Sequence, residues 1–357
     1  MKKLRGFFFL VFLIIVPSTV FPQQAVRSID PNLPTVAIIT TGGTIAEKTD
    51  PETGGAVPAL SGQALLKAVP EISGVANIKV INFSNIDSSQ MTPEIWANLS
   101  KKVDETLQDP MIKGAVVTHG TDTMAEGAFF LDLTVKSDKP VVFVGAMRDA
   151  SSVSPDGPAN ILNGVILASS EEAQGWGVTV ALNQYVNSAR DVRKTQTTNV
   201  QTFNSGEKGY LGYIHGGKVI KFRERSKRVR LPLPEKLPEV VLLATYAGDD
   251  GSLLRHVVDS GAEGVVIEGV GAGNVNAKVN QVIEYALSKN VIIVISTRVY
   301  HGGVFPIYAD KGGGATLKKE GVFLGGDLTP PKARLLLMLS LPHTADDRSK
   351  LEGYFET

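Results

Sequence analysis

The stretch that most constrains this chain is AVVTHGTDTM, residues 115–124. Residues 115–118 are apolar or β-branched, too short a run for a helix and suited to a strand buried on both faces. His119, Gly120, Thr121, Asp122 and Thr123 then crowd polar groups into a turn, and Thr123 with Glu126 has the spacing of a capping box that opens a helix. Strand, polar turn and helix start, in that order, are the unit of an open parallel sheet. In such a sheet ligands sit beyond the carboxyl ends of the strands, where a helix N-terminus offers free N–H groups to an anion. Capping alone would account for Thr121 and Asp122 at one such turn. A second junction argues for a site. Residues 35–41 run as an apolar strand into Gly42-Gly43-Thr44, where paired glycines let the backbone turn tightly and leave Thr44 at the turn. Two strand ends, each presenting a threonine, would face one pocket.

The alternation continues along the chain. Strands are expected at 78–83, 140–144 and 178–182, and helices at 61–69, from Pro93 to about 107, and from Asp156-Gly157-Pro158 to 169. This spacing argues a doubly wound parallel sheet with right-handed crossovers. Residues 47–58, rich in Asp, Pro, Thr and Gly, read as a mobile lid after Thr44. Residues 218–238, KVIKFRERSKRVRLPLPEKLP, break the pattern and read as a solvated linker. Beyond them strands at 240–244, 264–267 and 291–296 alternate with helices at 252–260 and 278–289, and a last helix opens at Pro330-Pro331. The expected fold is α/β: a larger N-terminal domain (33–217) with a doubly wound, mostly parallel sheet, a linker (218–238) and a smaller C-terminal α/β domain (239–357).

Composition excludes several functions. Lys plus Arg and Asp plus Glu are equal at 36 each, so no net field recommends nucleic acid or an anionic membrane as partner. There is no cysteine, which removes disulfides, thiolate metal sites and a cysteine nucleophile together. The histidines, His119, His215, His256, His301 and His343, lack metal-ligand spacing, and His119 reads as structural support behind its turn. No phosphate loop is present, since no glycine precedes Lys48. Residues 269–273 are one residue short of the dinucleotide fingerprint, and G-x-S-x-G is absent. At the N-terminus, Lys2, Lys3 and Arg5 precede an apolar run over 6–16, the pattern of a secretory signal (1–24) too short to span a bilayer comfortably. A periplasmic or secreted protein, with no membrane partner after cleavage, is expected.

TTGGTIA (40–46) and THGTDTM (118–124) resemble the two signature motifs of bacterial-type L-asparaginases, of the secreted kind. The resemblance extends, in the family's order, to VGAMR (144–148), SPDGPANILN (154–163), RDVRKTQT (190–197), GVGAGN (269–274) and PPKARLLL (330–337). It implies hydrolysis of L-asparagine to L-aspartate and ammonia without metal or cofactor, in a homotetramer whose pockets are shared between subunits. By the same resemblance Thr44 is the nucleophile, forming a β-aspartyl ester, and Thr121, Asp122 and Lys194 form a triad. Asp122 also receives the substrate α-amino group, Ser88 the α-carboxylate and Ala146 a backbone contact to the amide. Gly120 and Ser89 line the pocket, and Asn274 reaches into a neighbouring subunit.

These assignments fit what amide hydrolysis needs: a nucleophile, a base beside it, and fixed donors for the developing oxyanion. A threonine hydroxyl is a poor nucleophile until a proton acceptor adjoins it. Two departures stand out. The family's lid carries a tyrosine that hydrogen bonds the nucleophile, whereas residues 53–58 here read TGGAVP and no tyrosine lies between Thr44 and Gln184. A serine–glutamine pair seen in several secreted members is Ser88-Ser89 here. The choice between asparagine and glutamine therefore stays open, as does a weakly catalytic amino-acid-binding protein on the same scaffold.

Overall fold

Each strand of the apolar core alternates its side chains between two oily layers, the period-2 signature of a sheet covered on both faces. In the computed structural model, which describes residues 29–43, 45, 47–49, 53, 56–58, 63, 67–226, 228–344 and 347–356, Val36 and Ile38 enter one layer and Ala37 and Ile39 the other. Val116 likewise separates from Ala115 and Val117, and Val142 and Val144 from Val141 and Phe143. Residues 32–357 form one compact unit.

The strands of the first half are β1 (Thr35–Thr40), β2 (Glu47–Thr49), β3 (Ala56–Pro58), β4 (Asn77–Asn82), β5 (Ile112–Thr118), β6 (Val141–Val144), β7 (Val178–Leu182), β8 (Tyr185–Ser188), β9 (Arg193–Lys194), β10 (Phe203–Asn204), β11 (Gly212–His215) and β12 (Lys218–Lys221). Eight of them make one sheet in the order β12-β11-β8-β7-β6-β5-β1-β4. The five from β7 to β4 are parallel, and β8, β11 and β12 extend the sheet antiparallel. The order reverses at β1, which lies between β4 and β5, and this is the switch point at which α/β sheets open a crevice.

Helices α1 (Pro93–Leu107) and α2 (Met124–Thr134) cover one face through Trp96, Leu99, Val103, Phe129 and Leu133. Helix α3 (Gly157–Ser169) covers the other through Ile161 and Val165. Helix α1 starts as its sequence dictates: Thr92 Oγ1 accepts from the Ile95 N–H and Pro93 takes the first position, where its missing N–H costs nothing.

The second sheet is wholly parallel, β13 (Val240–Ala244), β14 (Gly264–Gly269), β15 (Ile292–Thr297) and β16 (Phe323–Leu324) in sequence order. Its helices are α4 (Ser252–Asp259), α5 (Ala277–Ser288), α6 (Gly314–Glu320), α7 (Pro330–Thr344) and α8 (Arg348–Phe355). Leu335, Leu336 and Leu339 of α7 belong to the same oily layer as α1 and α2 and as Val266 and Val294 of this sheet, so α7 joins the two sheets.

Four expectations change. Residues 47–49 and 56–58 are not plain loop but the paired strands of an antiparallel hairpin. Thr123 makes no side-chain cap bond; its hydroxyl instead donates to the Ser88 carbonyl at 2.7 Å and ties the helix start to the turn after β4. Residues 218–221, expected in the linker, form the sheet's last strand. The basic run that follows is only partly solvated: Arg230 stays exposed, but the Arg225 and Arg228 side chains, each 8% exposed, close on Asp132. Most of the helix expected over 61–69 lies outside the described residues.

Candidate active site

The residues singled out from the sequence issue from neighbouring strand ends. Ser88 follows β4, Thr44 follows β1, Gly120, Thr121 and Asp122 follow β5, and Ala146 follows β6, four adjacent parallel strands whose carboxyl ends lie side by side. Thr40 of β1 pairs with Thr118 of β5, and Thr118 pairs with Val144 of β6. Thr44 itself lies outside the described residues. The residue before it is described, and it fixes how the two motifs meet: a Cβ on Gly43, where φ is +84°, would stand 2.3 Å from Gly120 Cα. The two turns thus touch backbone to backbone, and only glycine fits there. The Thr41 N–H and hydroxyl, at 3.2 and 2.8 Å, both donate to the Thr118 carbonyl and lock the strand ends together.

Lys194 arrives from the antiparallel part of the fold. Its Nζ donates to Thr121 Oγ1 at 2.9 Å and to Asp122 Oδ1 at 2.6 Å. Thr121 is 6% exposed, whereas the Asp122 side chain is 62% exposed and stands at the opening. Asp122 and Lys194 line an open cavity of about 630 Å³ together with Thr195, Gln196 and Thr197. Larger grooves of about 970 and 900 Å³ run elsewhere, along residues 236–239, and gather none of these side chains.

Ser88 is buried, and its Oγ accepts from the Asp122 N–H at 3.3 Å, which leaves the hydroxyl proton free to donate. Ser89 is exposed and its contacts are local: its N–H donates to Asp87 Oδ1 and its Oγ accepts from Gln90 Nε2. Ala146 is buried in a turn that two unforeseen residues brace. Asp156 accepts from the Met147 and Arg148 N–H groups, and Asn160 Nδ2 donates to the Gly145 carbonyl at 2.9 Å. From the sequence, Asp156 marks only the start of a helix. A carboxylate followed four residues later by an amide, inside SPDGPANILN, was the signal available.

His119 is fully buried behind the turn. Its Nδ1 contacts the Gly120 carbonyl at 2.7 Å and its Nε2 lies 3.3 Å from Trp96 Nε1, an indole N–H that can only donate. The ring is therefore the Nδ1–H tautomer, and burial pushes it down to about 4 despite the Gly120 carbonyl. It holds the turn rather than carrying protons at neutral pH. Asn274 follows β14 in the second sheet, and its Oδ1 accepts from the Gly314 N–H at 3.2 Å rather than joining Thr121, Asp122 and Lys194.

Known family models match both halves of the chain. The model for the N-terminal asparaginase domain matches residues 35–227, and that for the glutaminase/asparaginase C-terminal domain matches residues 239–355. The chain belongs to the asparaginase family. A protein of Haemophilus influenzae described as a probable periplasmic L-asparaginase is 41% identical over 333 residues, 91% of this chain and 93% of that one. L-asparaginase 2 of Escherichia coli is 39% identical over 322 residues, covering 88% and 90%. Among solved structures, a probable cytoplasmic L-asparaginase of Campylobacter jejuni superposes with a TM-score of 0.82 at 40% identity, covering 91% of this chain and 99% of that one. Within the asparaginase fold, the match to these proteins runs through both sheets, so it includes the strand ends that carry the cluster and the second sheet that carries Asn274. Among the described residues no helix is long and apolar enough to cross a membrane.

Proposed function

We propose that this chain hydrolyses L-asparagine to L-aspartate and ammonia, with the Thr44 hydroxyl attacking the carboxamide carbon. The observation that carries this reading is the contact of Lys194 Nζ with both Thr121 Oγ1 and Asp122 Oδ1, at the strand end against which Gly43, the residue before Thr44, is packed. Thr44 Oγ forms an ester bond, the C–N bond breaks and ammonia leaves with the added proton; water then cleaves the ester and restores the hydroxyl. Thr121, Lys194 and Asp122 form the chain through which that proton moves. Asp122 Oδ1 is taken by Lys194, so its second oxygen is left for the substrate ammonium. The Ser88 hydroxyl donates to the α-carboxylate, and the braced turn at Ala146 meets the amide through its backbone. Gly120 permits the close approach, and Ser89 borders the pocket.

A second copy of the chain completes the pocket through Asn274, in a homotetramer. Next to Asn274, the Phe305 N–H bonds the Ala272 carbonyl, and Phe305, Ile307 and Tyr308 stay more than half exposed, an apolar surface suited to a partner chain. Of the domain limits expected from the sequence, 33–217 and 239–357 joined by 218–238, we keep one domain per sheet but carry the first through residue 221, where its last strand ends, which leaves 222–238 as the linker. Export by the N-terminal signal to the periplasm or the outside fits the Haemophilus influenzae relative described as periplasmic.

Ammonia release from L-asparagine and L-glutamine, side by side at neutral pH, tests the reading. Asparagine is expected to be the better substrate, and Thr44→Ala to lose on the order of a thousandfold or more in kcat. Turnover unchanged in that variant would remove Thr44 as nucleophile. Aspartate binding without release of ammonia from either amide would make this a binding protein.

A further inference from the structure

Two of the matching strings contribute no group to the proposed reaction, PPKARLLL and the front half of RDVRKTQT, and in the fold they meet. Lys332 lies in the first turn of α7 and is 1% exposed. Its Nζ donates to the carbonyls of Ala189 at 2.8 Å, Arg190 at 2.9 Å and Val192 at 2.5 Å. An ammonium has three protons, and three carbonyls take them. No carboxylate lies within ion-pairing distance of it among the described residues. Burial pushes the amine down to about 7; Asp191, which is turned to Arg190 and Arg223, and Asp132 favour its charge, while the guanidinium groups of Arg193 and Arg190 oppose it. A buried cation with carbonyl partners only is a costly choice for a helix otherwise lined with leucines, unless the carbonyls must be held.

The carbonyls belong to the turn between β8 and β9. Val192 is followed by Arg193 and Lys194, and β9 pairs on its far side with the short β10 over two residues, a pairing that the Thr195 N–H and hydroxyl extend to the Thr202 carbonyl. Lys332 Nζ also sits 5.7 Å above the ring of Phe129, in the helix that begins just after Thr121 and Asp122. It therefore stands between the element that carries Lys194 and the element that carries its two partners. We infer that Lys332 is a positioning residue for Lys194: by holding the carbonyls of Ala189, Arg190 and Val192 it fixes the turn from which the Lys194 amine reaches Thr121 and Asp122. The inference rests on the role proposed above for Lys194.

A double-mutant cycle on asparagine hydrolysis, with thermal melting of every variant, tests it. Lys332→Met keeps an unbranched chain that stops one atom short of Nζ and so removes all three donors. It should lower kcat about tenfold to a hundredfold while KM changes less than about threefold, because Ser88 and Asp122 still hold the substrate. In a Lys194→Met background the same change should lower the residual kcat less than about twofold, since there is no Lys194 amine left to misplace. A folded Lys332→Met enzyme with wild-type kcat, or an equal loss in both backgrounds, overturns the inference. Lys194→Met with wild-type kcat overturns instead the reading of the site. Should the methionine variant not fold, Lys332→Gln keeps two N–H donors on a shorter chain and is expected to show an intermediate kcat; wild-type kcat in a folded glutamine variant refutes the positioning role equally.

Discussion

A methyl group at Gly120 would test the meeting of the two motifs directly. Built on the backbone, it stands 2.5 Å from Ser88 Oγ, 2.7 Å from Ser88 Cβ and 3.2 Å from Gly43 Cα. Ordinary contact begins at 3.4 Å, so Ser88 Oγ must retreat by 3.4 − 2.5, or about 0.9 Å. It has little room to do so. Its Oγ accepts from the Asp122 N–H, and its carbonyl is held by the Thr123 hydroxyl. Gly120 is not among the positive-φ residues, so the backbone of an alanine is unstrained and the whole cost is steric. Overpacking of this kind costs ~1–3 kcal/mol, and misplacing groups by about 1 Å beside the reacting atoms costs on the order of a hundredfold in kcat/KM. Ammonia release and thermal melting of Gly120→Ala would measure both losses. Adding Ser88→Gly removes the two closest atoms, so the double variant should regain most of the stability yet stay slow, having lost the hydroxyl proposed to hold the substrate carboxylate. A Gly120→Ala enzyme that melts and turns over as the wild type does would refute the contact between the turns. A double variant no more stable than the single one would clear Ser88 as the obstacle.

His119 gives a pH dependence with a definite sign. Its folded value is near 4 against 6.5 when unfolded, so below pH 6.5 the unfolded chain takes up a proton that the folded chain refuses. Stability contributed by the neutral ring is therefore lost as pH falls from 6.5 to 4, by up to about 3 kcal/mol. Unfolding of the wild type and of His119→Gln across that range should differ by this slope, and parallel curves would disprove it. Asp132 offers a separate test of the basic segment: its carboxylate takes two bonds from Arg225, at 2.9 Å each, and one from the Val178 N–H. Asp132→Ala leaves two buried guanidinium groups without their carboxylate and should cost about 3–5 kcal/mol in urea unfolding, whereas a loss under about 1 kcal/mol would mean the pair is effectively solvated.

Much of this site was legible because its residues follow apolar runs. The runs ending near residues 40, 83, 118 and 144 announce strands, and right-handed crossovers bring strands of a parallel sheet side by side, so polar residues just past their ends converge without any knowledge of the packing. What escaped the sequence shares one physical cause. Arg225 and Arg228 reach Asp132 across more than ninety residues, and Lys332 meets its carbonyl partners across some hundred and forty. A charged side chain turned inward looks, in sequence, like one turned to water, since neither periodicity nor composition records the partner that makes its burial tolerable. The Thr123 hydroxyl misled for a similar reason: local spacing favoured a helix cap, whereas the side chain is turned to a carbonyl thirty-five residues away. The consequence for catalysis is asymmetric. Ser88, Thr121, Asp122 and Ala146 are held by the parallel strands they follow, so the core that builds the sheet also builds that part of the site. Lys194 comes from a two-residue strand outside that row, and its geometry depends on contacts made far along the chain. Substitutions that slow the enzyme without touching substrate are therefore expected to collect around Ala189–Val192 and Lys332 rather than around the strands beneath the threonines.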